Sequence, residues 1–451
     1  MPRRILLFLL FVATPVAAQT LRVPFDSFTL ANGLQVLVAP DHAVPVVTVN
    51  IWYHVGSGDE KPGRTGFAHL FEHIMFMGSQ HVPTGEFDKQ LEAAGGDNNG
   101  STTEDRTNYF EDAPSNALPL MLWLDSDRMG WLLPEIDSAK VDLQRGVVKN
   151  ERRQSYENQP YGLAEENILQ RLYPPNHPYH WPVIGSMTDL DAASIDDVRA
   201  FFKSYYTPNN ATLVVGGDID VPAAKALAQK YFGDIPRGPA VTRTPPPAFR
   251  LDSDRVAMIE DRVQVPRVYN AWHTVKAFGP DDATLDIVAS ILAVGRASRL
   301  YKVLVYDKQI ASNVIAFQDG SRIDGKFEVF ATARPGHDLT EVERVIDAQV
   351  RLLADSGPTP RELERAQNSF EADFLNAMER MGSFGGKADR LNFYNYFAGT
   401  PDYFQQDLDR YRKVTIADVQ RAARSFLRDA HRVILSVVPQ GKPELAVKGG
   451  P

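Results

Sequence analysis

The stretch "GFAHLFEHIMFMGS" at 66–79 sets His69, Glu72 and His73 within five positions of an otherwise apolar segment. On a helix, residues four apart lie one turn apart on one face, so His69 and His73 can aim ring nitrogens at a single divalent ion about 2.0–2.1 Å away. Glu72 falls on the same side, free to take a proton from an attacking water without being a ligand. A zinc ion there lowers the water's pKa towards 7, and the carboxylate that receives the proton can pass it to a leaving amine. That chemistry is peptide-bond hydrolysis. The same five residues also fit a buried helix whose two histidines are satisfied by backbone carbonyls, so a third ligand has to decide. The chain has no cysteine, which restricts that ligand to His, Asp or Glu.

Positioning such a set requires ordered elements on both sides. Apolar spacing and Gly78 predict a helix over 65–77. Before it, "FTLANGLQVLVAP" reads as two strands joined by a type I′ hairpin at Asn32-Gly33, and "VPVVTVNIWYHVGS" as a further strand. After it come Gly95-Gly96 and a strand near "NNGSTTEDRTNYFEDAP". The segment "DSAKVDLQRGVVKNERRQSYENQP" predicts a long amphipathic helix over 138–158, halted before Pro160. Clustered strands and helices give an α+β class.

Two segments match in pattern, "SIDDVRAFFKSYYTPNNATLVVGGDI" and "TIADVQRAARSFLRDAHRVILSVVPQ". Each opens with a hydroxyl N-cap and an Asp three residues later, Ser194 with Asp197 and Thr415 with Asp418, and leads from an amphipathic helix into an apolar strand. Val198 pairs with Val419, Tyr205 with Phe426 and Leu213 with Ile434. The expectation is a duplicated α/β sandwich-like domain, each a mixed sheet with helices on one face, the two arranged as a clamshell. A proline-rich linker at 236–250 separates a domain at 19–235 from its homologue at 251–441, with a flexible tail at 442–451. The "NHPYHWP" run at 176–182 reads as a surface loop, His54 as a packed strand histidine, and "RLNFYNYFAG" as core.

The 451 residues exceed one typical core, and 43% hydrophobic with 23% charged residues is ordinary for a folded soluble protein. Residues 1–18, with Arg3-Arg4, a short apolar run and Val16-Ala17-Ala18, read as a cleaved secretory signal, too short to anchor in a bilayer. The expected location is the periplasm of a Gram-negative bacterium. Removing the two arginines shifts the net charge of −9 to about −11, and no basic patch suggests nucleic acid.

H-x-x-E-H is the inverted zinc signature. With "VNIWYHVGSGDE", "LEAAGGDNNGSTTEDRTNYF" and "RGVVKNERRQ" around it, the chain resembles the pitrilysin and insulinase family, especially its bacterial mitochondrial-processing-peptidase-like branch. The resemblance implies one zinc per chain, with Glu151 of "VVKNE" as the third ligand beside His69 and His73, and Glu72 as general base. It implies that Asn99, Gly100, Ser101 and Thr102 belong to an edge strand on which an extended peptide adds as another strand. Gln144 stands where the family usually has a supporting glutamate. Val305 and Ser312 stand where the family has an Arg and a Tyr that steady the developing oxyanion. The implied assembly is therefore a zinc-bearing subunit with a homologous partner that lacks the zinc motif and supplies the Arg and Tyr. The alternative is a non-catalytic scaffold or binding subunit of a processing-peptidase-like complex.

Overall fold

A computed structural model describes residues 21–243, 245–246 and 248–448; the expected signal segment at 1–18 lies outside them. The first sheet contains β1 (Asp26–Thr29), β2 (Gln35–Pro40), β3 (Val46–Tyr53), β4 (Asp97–Thr102), β5 (Thr107–Pro114) and β6 (Ala211–Gly217). The second contains β7 (Arg255–Asp261), β8 (Arg267–Thr274), β9 (Ala311–Gly320), β10 (Gly325–Ala333) and β11 (Arg432–Pro439). Their spatial orders are β1-β2-β6-β3-β5-β4 and β7-β11-β8-β10-β9. Without β1 the two orders are the same. In each half the last strand runs parallel to the strand on one side, β2 or β7, and antiparallel to the one on the other, β3 or β8.

The matching segments explain that insertion. Ser194 and Thr415 each cap a helix with a reciprocal box, their hydroxyls accepting from Asp197 and Asp418 backbone N–H groups. Val198 and Val419 below them are fully buried, and Leu213 and Ile434 on β6 and β11 are core residues. Each half owns a large apolar core between its sheet and its helices.

The opposite face of each sheet is covered by a helix from the other half. Ala164–Leu172 packs Ile168, Leu169 and Leu172 against Ala271, Val433 and Leu435 of the second sheet. Lys387–Phe393 packs Ala388 and Leu391, with Tyr394, against Leu37, Ala39 and Val214 of the first. The "RLNFYNYFAG" aromatics are thus core, and that core joins the halves.

Several sequence expectations change. Five residues, 30–34, connect β1 to β2, so no two-residue type I′ turn forms. Only Gly33 there takes a positive φ, 94°, while the Asn32 amide donates to the Phe232 and Ile235 carbonyls. The "NHPYHWP" run is no surface loop. His177 is 2% exposed, and the Tyr179 hydroxyl donates to Asp105 and accepts from Ile323 N–H in the second half. The expected tail is ordered through 448, with a 3-10 turn at Pro443–Leu445 and Val447 N–H donating to the Ser436 hydroxyl. The linker is tied down by Arg243, which donates to Asp59 and to the His54 carbonyl, and Phe249 lies against His273; positions 244 and 247 lie outside the described residues. His54 is half-buried and stacks on the Tyr396 ring, 4.4 Å between centroids.

Candidate metal centre

The motif helix is Phe67–Ile74, shorter at both ends than its pattern suggests. Phe67, Ala68, Leu70, Phe71 and Ile74 face the core and leave His69, Glu72 and His73 on the opposite side. Its start is fixed by two features without helical periodicity. Gly66 has a φ of 87°, and a Cβ there would meet the Ile184 carbonyl at 2.8 Å, so only glycine fits beside the Ile184-Gly185 backbone. Glu60 reaches over the helix start, its carboxylate accepting from Gly66 N–H at 3.0 Å and Ala68 N–H at 2.8 Å. Burial pushes the Glu60 carboxyl well up, opposed by these backbone donors. The expected stop, Gly78, has a positive φ but lies beyond the helix, in the turn that follows.

Glu151 comes from the helix Ser138–Arg152, capped by Asp137, whose carboxylate accepts from Lys140 N–H. This helix continues without a break into a π-turn at Arg153–Glu157, matching the expected extent of 138–158. Arg152 anchors its end through the Gly185 carbonyl and Glu166.

The two helices bring His69, His73 and Glu151 together. His73 Nε2 is 3.3 Å from Glu151 Oε2 and His69 Nε2 is 3.7 Å from it, and the three donor atoms lie within 4.8 Å of one another. Among the described residues this is the one group of three or more potential ligands so placed. Donors about 2.0–2.1 Å from a tetrahedral zinc would be separated by roughly 3.4 Å, so the spacing fits the ion. Burial lowers the His69 pKa to about 4, against the pull of Glu151, which keeps the ring neutral as a ligand must be. A hydrogen bond with His73 lowers the Glu151 carboxyl. The His69 Nδ1 is buried without a partner among the described residues.

Glu72 is close by but faces the β4–β5 hairpin. Its Oε2 accepts from the Thr102 hydroxyl at 2.6 Å, and its carboxyl is raised by burial, so it holds a proton more readily than a free glutamate. A Cβ on Gly100 would meet the Glu72 Cγ at 3.3 Å, so β4 passes directly over Glu72. β4 is the terminal strand of its sheet. Of the expected edge residues, Asn99 Oδ1 accepts from Gly100 N–H, Ser101 donates to Asn108, and Thr102 positions Glu72. Gln144 departs from expectation: its amide touches the Met77 sulfur and reaches none of the three ligands.

The second half holds the hairpin in place. Asp389 accepts from Trp52 Nε1 at 2.9 Å and Asn108 Nδ2 at 3.2 Å, and Asn108 Oδ1 in turn accepts from Ser101. Arg322 N–H donates to Asp105 and the Tyr396 hydroxyl to the Asp105 carbonyl, in the turn after β4. Glu60, Thr102 as a partner of Glu72, and Asp389 escape a reading of the sequence, since their contacts join segments 6 to 339 positions apart. Val305 is packed in the second core, and Ser312 donates to the Thr332 carbonyl; neither joins the metal centre.

Residues 35–179 match the family described as Insulinase (Peptidase family M16), and 192–370 match the Peptidase M16 inactive domain. The chain is 29% identical over 427 residues to the zinc protease PqqE of Helicobacter pylori, covering 94% of each chain. It is 22% identical to the mitochondrial-processing peptidase subunit beta of Blastocladiella emersonii, over 93% of this chain and 90% of that one. Among solved structures, a protease from Helicobacter pylori superposes with a TM-score of 0.83 at 26% identity, over 93% of this chain and all of that one. The periplasmic protease PqqL of Escherichia coli superposes with a TM-score of 0.76 over 93% of this chain but 48% of its own, a likeness of fold at 19% identity.

Proposed function

Because the chain belongs to the insulinase and pitrilysin family of peptidases, we propose that it is a zinc-dependent endopeptidase or oligopeptidase acting on peptides or unfolded polypeptide segments. The observation that carries this reading is the convergence of His69 Nε2, His73 Nε2 and Glu151 Oε2 beside the half-buried Glu72. Zinc bound by that set would lower the pKa of a water and polarise the scissile carbonyl. An extended substrate adds along β4, with Asn99, Gly100 and Ser101 supplying backbone partners, which brings its carbonyl over Glu72. Glu72 takes the proton of the attacking water and, raised by burial, delivers it to the leaving nitrogen. The Thr102 hydroxyl keeps the carboxylate in that orientation.

The location is the periplasm, reached by cleavage of the segment 1–18. A homologous partner subunit supplies the Arg and Tyr that Val305 and Ser312 cannot, closing a chamber over the site. That the chain spans about half of PqqL supports a paired arrangement. The test is hydrolysis of a peptide pool by wild type and Glu72→Gln, each with and without the homologous protein encoded next door. Cleavage that needs Glu72 and rises sharply with the partner is the expected result. A pool left uncut in every combination rules the peptidase out, and full activity of the single chain rules out the need for a partner.

A further inference from the structure

The two sheets share their strand order apart from β1, and that one difference leaves an edge bare. In the first half β1 lies along the outer side of β2, where Val36, Leu37, Val38 and Ala39 are 0% exposed. In the second half β7 stands in the place of β2, bonded to β11 on one side and to no described strand on the other. Val256 and Met258, on one face of β7, are 46% and 41% exposed, while Ala257 and Ile259 on the other face pack at the junction of the halves. The chain's own segment is not free to cover this edge. Residues 30–34 separate β1 from β2, and the stretch placed likewise before β7 is 246–249. Phe249 of that stretch packs instead against His177 and His273, 5.3 and 4.5 Å between ring centroids, and Leu251 is buried in the same cluster. An open strand edge flanked by apolar side chains is a template for pairing with another strand.

We propose that the occupant is β7 of a second copy of this chain, paired antiparallel about a two-fold axis at Met258, so that the second sheet runs on from one copy into the next. The strand, "RVAMIED", is complementary to itself in that register. Met258 meets Met258, Ala257 meets Ile259, and Arg255 at one end meets Asp261 of the second copy, twice over by the symmetry. Parallel pairing in register would instead set Arg255 against Arg255 and Asp261 against Asp261. Both charges are fixed at the ends of the strand. The Arg255 guanidinium donates to the Arg171 carbonyl at 2.5 Å, and the Asp261 carboxylate accepts from Tyr161 N–H at 2.7 Å and Arg262 N–H at 2.6 Å. Val256 comes opposite Glu260 of the second copy, an apolar residue beside an acid, which leaves room to tune the pair by charge. The contact uses no zinc ligand and does not depend on the peptidase reading. It joins two copies of this chain, whereas the partner proposed above is a homologue.

The test is the mass of the purified chain in sedimentation velocity over about 1–100 µM, a range suited to the small contact of two short strands. The wild type is expected to pass from one chain mass to two across that range. Val256→Lys and Val256→Glu test the register, because position 256 lies opposite Glu260. The lysine variant should keep the dimer, and the glutamate variant should weaken it about tenfold or more, since like charges across an interface repel. Val256 is exposed, so both variants are expected to fold, which equal melting temperatures check. The chain has no cysteine, so Met258→Cys adds a single thiol. On the axis that thiol should link two copies by a disulfide when copper-phenanthroline and air accept its electrons. Leu352→Cys, 49% exposed on the helix Leu339–Ser356, should stay unlinked under the same treatment. A wild type of one chain mass at every concentration, or one that pairs only with the homologous protein, overturns the proposal. So does a dimer in which Val256→Lys and Val256→Glu dissociate alike, or in which Met258→Cys links no faster than Leu352→Cys, because another surface would then hold the copies.

Discussion

The two halves share one strand order and one capped helix-strand unit, and they differ most where the first half gathers its ligands. Between β3 and β4 the first half has the short motif helix Phe67–Ile74, with one face open. Between β8 and β9 the second half has Asp282–Ala293, buried on nearly every side. The corresponding space is a cavity of about 240 Å³ between that helix, the helix Pro360–Ala377 and the edge strand β9. Its lining includes Asp286, Ser290, Phe370 and Asp373 but no histidine, and the Tyr411 hydroxyl donates to Asp286 at 2.6 Å. The fold therefore makes the space between two helices and an edge strand twice, and among the described residues only the first copy brings three potential ligands together. The other copy serves the first by position, through Asp389, Arg322 and Tyr396 on the β4–β5 hairpin.

The largest effect expected from breaking this asymmetry is that of Glu151→Gln. An amide in place of the carboxylate removes the anionic ligand, so bound zinc measured by atomic absorption falls from about one per chain to near zero, and hydrolysis disappears with it. Glu72→Gln separates metal from chemistry, keeping the zinc while lowering kcat about 10²- to 10⁴-fold. Asp286→Asn in the other half is the control, with zinc content and kcat unchanged.

Cutting the support between halves has a smaller effect. Asp389→Ala leaves the buried donors Trp52 Nε1 and Asn108 Nδ2 without their acceptor, and a buried donor left unsatisfied costs about 1–3 kcal/mol. Thermal melting reads the lowered stability, and a KM raised more than kcat is reduced reads the loosened edge strand.

The smallest effect is on the pH dependence of stability. Glu328 is 3% exposed, and burial raises its pKa to about 7 from the model-peptide value of 4.5. Between those values the folded chain holds a proton the unfolded chain has released, so this group makes stability fall as pH rises from about 4.5 to 7. Glu328→Gln should flatten that slope in a series of melts from pH 4.5 to 7.5, and an unaltered slope would assign it to other groups.

What could be read in the sequence followed from short-range physics. Residues four apart on a helix put His69 and His73 on one side of it, and hydroxyl caps three residues before an acid marked Ser194 and Thr415. The segment "NNGSTTEDRTNYFEDAP" gave a strand, and only the family resemblance placed it at an edge. What stayed hidden depends on contacts between distant segments, which leave no periodicity. Glu60 over the helix start, the Gly66 and Gly185 approach, and Thr102 on Glu72 are of this kind. The exchange of Ala164–Leu172 and Lys387–Phe393 between sheets is too, since either helix could equally have covered its own half. The proline-rich run around His177 misled because prolines favour loops, whereas here they shape a buried junction against Asp324 and Phe249.

The central claim is that one half alone binds the metal. Anomalous diffraction at the zinc edge from crystals of the purified chain tests it most directly. The account predicts a single peak per chain, about 2.0–2.1 Å from His69 Nε2, His73 Nε2 and a Glu151 oxygen. A zinc-loaded crystal whose peak lay elsewhere, in the Asp286 cavity for instance, or whose three residues carried no peak, would contradict it.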